Sequence, residues 1–260
     1  MGPYAIIASL LIGLLAGILS GMFGIGGGIV MVPAMRCILK ISGHMAIGTS
    51  LLAVIPTAIS GALIFGQKRM LKYRVGLVSG IVGSFLAILG ARATQYFGSG
   101  QLMMIFSVVA ALVASRFIIW NKKKREGGTW KRGRSIWELP LAIAIGIIAG
   151  FASGFLGIGG GIILVPAYVF LMGLGMHEAL GTSLITIPIY AISGSVEHYL
   201  LGHVDLVLFA LIAVGSVIGA QMGARFSVVA KERKLRILFG VFLLVASAYL
   251  GISEFLGWNA

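Results

Sequence analysis

Apolar residues run in long blocks along this chain, and polar positions mark where each block stops. In the first half the blocks lie near 4–22, 46–66, 74–96 and 102–120; in the second they lie near 137–155, 179–199, 204–225 and 236–256. Helices of these lengths can cross the roughly 30 Å hydrocarbon core of a bilayer. Two shorter apolar pieces, near 28–40 and 161–174, follow clusters of glycine. At a rise of about 1.5 Å per residue they reach only about 20 Å. Backbone polar groups in lipid must be paired within their own segment. The pattern therefore predicts an all-α polytopic membrane protein, with each short piece forming the second arm of a glycine-broken helical hairpin.

The two glycine clusters are nearly the same string: "GIGGGIVMVP" at 24–33 and "GIGGGIILVP" at 157–166. They belong to a longer repeat held at one ungapped offset of 133 positions. Gly13 matches Gly146, Ser20-Gly21 matches Ser153-Gly154, and His44 matches His177. "AIGTSLL" at 46–52 matches "ALGTSLI" at 179–185, and "GAR" at 90–92 matches "GAR" at 223–225. Apolar composition alone would not keep one register through His, Thr-Ser and Gly-Ala-Arg. The chain divides into a first transmembrane repeat (1–120), a basic linker (121–136) and a second repeat (137–260).

Composition sharpens the class. Hydrophobic residues make up 59% of the chain and charged residues 10%, whereas soluble domains are about a quarter charged. The net charge of +13 could suggest nucleic acid, but its placement excludes that role. The basic residues crowd three short segments: 67–74, the central linker and 231–236. Short basic loops between apolar spans follow the positive-inside rule. All three fall on the cytoplasmic side only if the short pieces turn back. Each half then holds five segments, an odd number, so the repeats have inverted topology and both termini lie outside. Such interrupted, inverted repeats place helix ends at mid-membrane, at the repeat interface.

The chemistry of the breaks points to an anion. Each short arm starts just after three glycines, so its N-terminus carries unpaired amides and the positive end of its dipole. Glycines let a ligand approach those amides closely. The candidate cradle comprises Gly26, Gly27 and Gly28 with Gly159, Gly160 and Gly161. Valine at Gly27 or Gly160 is expected to abolish transport while leaving the protein folded. No acidic residue precedes Glu126, which excludes a symmetric carboxylate site for a cation, and no metal or other cofactor is indicated. Thr49, Ser50, Thr182 and Ser183 supply neutral hydroxyl donors. As "GTS" opens the third segment of each half, they also suit helix caps. His44 and His177 are candidates to pin each hairpin to the third segment, or to titrate. Arg36 is a candidate anion attractor at the outer mouth. Glu197 and His198 have no polar counterparts and are candidates for proton coupling; their place at a segment end suits interfacial solvation equally. Arg92 and Arg225 suit snorkelling at segment ends.

Two copies of G-x-G-G-G-x-x-x-V-P, each followed by A-x-G-T-S-L, resemble the TauE/SafE sulfite-exporter family of membrane transporters across essentially the whole chain. The resemblance implies a secondary transporter, with sulfite, a sulfonate or another small organic anion as cargo, exported across a bacterial or archaeal inner membrane. It also implies that the glycine motifs and the Thr-Ser pairs form the site. The expected surroundings are the anion, the lipid bilayer, protons as candidate coupling ions and a homodimer as candidate assembly. A passive anion channel is the alternative. An enzyme is not expected: no motif pairs a nucleophile with a base, and Ser50 with His44 recurs as Ser183 with His177, whereas a catalytic site is normally single.

Overall fold

The computed structural model describes residues 2–119 and 135–255. The basic stretch 120–134, on which the cytoplasmic-linker expectation rests, lies outside the described residues. Among the described residues the chain forms ten α-helices: α1 (Pro3–Phe23), α2 (Gly28–Leu39), α3 (Gly43–Gln67), α4 (Tyr73–Ala93), α5 (Ser99–Ile119), α6 (Ser135–Leu156), α7 (Gly161–Phe170), α8 (Met176–Leu200), α9 (Leu206–Val229) and α10 (Glu232–Phe255). A single 3-10 turn, Thr94–Tyr96, follows α4. Six of the helices, α1, α3, α4, α6, α8 and α9, are long and apolar enough to cross a membrane.

The helices match the apolar blocks within a few residues, with one informative exception. α3 and α8 begin before the Thr-Ser pairs. Ser42 caps α3, its hydroxyl oxygen accepting the Met45 amide at 3.4 Å, and Glu178 stands in the first turn of α8, where a negative charge meets the positive end of the dipole. Thr49 and Thr182 are therefore inside their helices, and the capping role expected for them is corrected.

Helix partners are chosen across the repeat. α1 packs along α9, and α4 along α6. Glycine makes both contacts possible. A Cβ on Gly17 would sit 2.7 Å from Ser216 Cα, and one on Gly146 would sit 2.9 Å from Ser79 Cα. Gly13 and Gly21 meet α9 backbone in the same way, and Gly215, Gly219 and Gly223 meet α1 backbone. Small residues at such spacing let membrane helices approach backbone to backbone. Residue numbers rise together along both contacts, so each pair runs parallel. The counterparts α3 and α8 cross antiparallel: Gly48 faces His198, Leu51 packs on Gly194, and Gly61 packs on Leu184.

The same contacts locate the hairpins. The chain leaves α2 and enters α3 at an end where His44 meets Thr94 and His203, and where Thr49 meets Asp205. The start of α1 lies at that same end, because α1 runs parallel to α9. The second hairpin, α6–α7, begins and ends at the other end, where Lys72 meets Thr182 and Glu178, and His177 meets Ser227 and Ala230. Around the bundle, large apolar side chains such as Leu15, Phe85, Leu89, Ile218 and Met222 are exposed. This is the surface a bilayer covers.

Candidate functional site

Each hairpin breaks with the same backbone geometry. Gly24 closes α1 at φ 65°, its amide donating to Ser20 O at 2.7 Å; Gly26 and Gly27 follow at 81° and 91°. Gly157, Gly159 and Gly160 repeat this at 66°, 74° and 63°. Three left-handed residues within four positions strain any residue with a Cβ, which is why both copies use glycine. Valine at Gly27 or Gly160 would thus strain the backbone itself, and at Gly160 its Cβ would also overlap the Tyr190 hydroxyl. The expectation that these variants stay folded is corrected on that ground.

The two breaks meet. A Cβ on Gly28 would lie 2.7 Å from Ile158 Cα, and one on Gly161 would lie 2.6 Å from Gly24 O. Val54 and Ile187, counterparts in the repeat, pack against Gly26 and Gly159. The meeting point is therefore apolar at its centre, with a helix start on each side. Residues 24–28 and 157–161 are all buried. Val30 and Met31 donate to Gly27 O, and Ile163 and Leu164 to Gly160 O. Among the described residues no backbone carbonyl takes the amides of Gly28, Ile29, Gly161 or Ile162. Those four donors sit at the positive ends of α2 and α7.

The Thr-Ser pairs separate into two roles. Ser50 donates to Gly157 O at 2.9 Å, and Ser183 donates to Gly24 O at 2.7 Å. Each serine of one half holds the break of the other. The threonines face elsewhere. Thr49 Oγ1 accepts the Asp205 amide and Thr182 Oγ1 accepts the Lys72 amide, both at 3.0 Å. These contacts tie α3 to the entry of α9 and α8 to the entry of α4.

The histidine pair also repeats its geometry. His44 Nε2 lies 3.2 Å from Thr94 O, and His177 Nε2 lies 3.1 Å from Ser227 O, the corresponding carbonyl. They join the start of the third helix of each half to the end of the fourth. His177 Nδ1 also lies 3.5 Å from Glu232, and hydrogen bonding to it holds that carboxyl below the usual range. Arg36 stands half-buried in the last turn of α2, where a cation complements the dipole.

Glu197 and His198 are not solvated at an interface. Glu197 is 8% exposed and takes Arg92 Nε at 2.7 Å; His198 is fully buried with Nε2 2.8 Å from Gly154 O. Solvent snorkelling is thus only part of the account of Arg92. His203, in the loop before α9, has its ring centre 5.1 Å from that of His44 and 5.7 Å from that of His198. Burial first, and His44 second, push the His203 pKa down. A histidine kept neutral by folding stabilises the protein above its unfolded pKa of about 6.5, and that contribution is lost as pH falls below it. Melting temperature is expected to fall as pH drops below about 6.5, and His203→Gln should flatten that part of the profile. An unchanged slope in the variant would remove His203 from the account.

Sequence symmetry passed over two tyrosines. Tyr190 donates to Gly159 O at 2.6 Å, and Tyr168 lies 3.0 Å from Thr186 Oγ1. Their counterparts are Thr57 and Met35, so the copies differ beside the breaks. An apolar cavity of about 510 Å³, lined by Ile59, Leu63, Leu71, Leu184 and Pro188 among others, opens between α3 and α8; the breaks are not among its walls.

Buried helix starts that meet inside a bundle of membrane-spanning helices, with neutral donors beside them, are the architecture of a multi-pass membrane transporter. The particular family follows from comparison. The family model described as sulfite exporter TauE/SafE matches residues 9–250, and the chain belongs to that family. It is similar to "Probable membrane transporter protein YunE" of Bacillus subtilis (strain 168), with 26% identity covering 92% of this chain and 94% of the relative. It is also similar to YdhB of the same organism, at 28% identity over 84% and 89%, and to YfcA of Escherichia coli (strain K12), at 26% over 92% and 87%. Both carry the same "probable membrane transporter" description. No solved structure matches the chain.

Proposed function

We propose that this protein is a secondary transporter that exports a small anion, such as sulfite, a sulfonate or another organic anion, with the substrate held where the two glycine breaks meet. The observation that carries this reading is the convergence of two buried helix N-termini whose first amides have no carbonyl partner. Neutral donors at a positive dipole end stabilise an anion without repelling it. The family's description as a sulfite exporter supports the cargo and direction. The antiparallel crossing of α3 with α8, and hairpins entering from opposite ends, support an inverted repeat that alternates access. In this reading Lys72 and Glu232 mark the cytoplasmic end, both termini lie outside the plasma membrane, and Glu197 or His198 carries the coupling proton.

Proteoliposomes holding the purified protein test the reading. Sulfite flux is expected to saturate and to respond to a pH gradient. Linear, voltage-following flux would establish the channel alternative instead. A tag on Ala260 is expected to be reachable from outside intact cells; a cytoplasmic tag would overturn the inverted topology.

A further inference from the structure

We infer that the hydroxyls of Ser20 and Ser153 are direct ligands of the transported oxyanion, one at the start of each short helix. The inference rests on the anion-transport reading and adds residues that it did not contain. Both serines are 0% exposed, and neither hydroxyl has a hydrogen-bond partner among the described residues. A buried hydroxyl in a helix ordinarily turns back onto a carbonyl of the preceding turn, as Ser9 does to Ala5 O and Thr57 to Ala53 O. For Ser20 and Ser153 those carbonyls are Ala16 O and Ala149 O, and neither hydroxyl donates to its carbonyl. A hydroxyl buried without a partner is costly, yet it occurs twice at one offset. The other buried, unpartnered serine hydroxyls, Ser195 and Ser227, lack this symmetry: their counterparts are Ala62 and Thr94.

Position gives the orphaned hydroxyls a use. A Cβ on Gly27, the residue that opens α2, would lie 3.5 Å from Ser20 Cβ and 3.2 Å from Ala16 O. A Cβ on Gly160, which opens α7, would lie 2.8 Å from Ala149 O, the carbonyl one turn before Ser153. Ser20 therefore stands beside the residue that precedes α2, and the turn that leads into Ser153 stands beside the one that precedes α7; the first amides of both short helices also lack carbonyl partners. A hydroxyl and two amides meeting from different elements suit a group with several acceptor oxygens, such as sulfite or a sulfonate head. The amides and the positive dipole ends of α2 and α7 disfavour a cation. Ser20 and Ser153 would then donate hydrogen bonds to the anion at no cost in lost protein contacts.

The test uses the full-length protein in detergent, with sulfite and methanesulfonate as probes and the anion-induced rise in melting temperature as the binding readout. Ser20→Ala and Ser153→Ala are each expected to weaken binding about ten- to a hundred-fold. Their anion-free melting temperature should equal or exceed that of the wild type, because the hydroxyls have no partner to lose. Ser195→Ala removes the same kind of orphan at a position with no serine counterpart in the other repeat and should bind as the wild type does. Unchanged affinity in both Ser20→Ala and Ser153→Ala overturns the inference, as does an equal loss in Ser195→Ala. If the wild type binds these anions but shows no flux in proteoliposomes, the transport reading fails while the serine comparison still decides the site. If it binds neither anion, both fail.

Discussion

Gly17→Leu is expected to abolish the folded protein. A Cβ at this position would overlap Ser216 O and stand 2.7 Å from Ser216 Cα and 2.8 Å from its carbonyl carbon. No flexible side chain can yield, because every obstructing atom is backbone. Overpacking that side chains can absorb costs about 1–3 kcal/mol. Here the helices themselves must part, and with them the contacts of Gly13, Gly21, Gly215, Gly219 and Gly223 along the same seam. The loss is expected to rival the whole stability of an ordinary domain, about 5–15 kcal/mol. Gly150→Leu should do the same to the α4–α6 seam, since a Cβ there would overlap the backbone of Gly83. Gly98→Ala is the control: its nearest neighbour, the Gln101 side-chain oxygen, is 3.9 Å away. Size-exclusion profiles and melting temperatures after detergent extraction check the three. A monodisperse Gly17→Leu melting within a few degrees of the wild type would refute the close backbone seam.

Thr49→Val and Thr182→Val are expected to cost stability rather than anion affinity. Both threonines are fully buried, and each oxygen accepts the amide at the entry to a helix of the other repeat, Asp205 N before α9 or Lys72 N before α4. Valine keeps the shape and removes the acceptor. A buried amide left unsatisfied costs about 1–3 kcal/mol, and the two effects should add because the contacts share no partner. If the hydroxyls instead bind the substrate, each variant would weaken anion binding about ten- to a hundred-fold at unchanged stability. Melting temperature and anion affinity, measured on the same samples, separate the two outcomes. A stability loss with normal affinity in the folded fraction leaves Ser20, Ser153 and the amides of Gly28 and Gly161 as the binding groups.

The apolar blocks, the repeat and both glycine breaks were legible in the sequence, because helix formation in lipid depends on local composition and length. The positive φ of Gly26, Gly27, Gly159 and Gly160 was foreshadowed by the residue type that tolerates it. Other features had no local mark. Glu197 looked solvated because its partner, Arg92, is 105 positions away. Ser20 and Ser153 served only as landmarks of the repeat, since no sequence says whether a hydroxyl finds an acceptor. The same symmetry hid Tyr190, whose counterpart is a threonine.

Sequence by itself determined how many segments there are, where two of them break and that the breaks are equivalent. Tertiary structure alone decided which helix meets which: α1 with α9, α4 with α6, and Gly28 against Ile158. The reason lies in the solvent. In water, an apolar stripe announces the face a helix will bury. In lipid, the outward face is as apolar as the inward one, so hydrophobicity does not distinguish them. Partners are then chosen by how closely two backbones can fit, and that depends on the helical phase of glycines drawn from both halves of the chain.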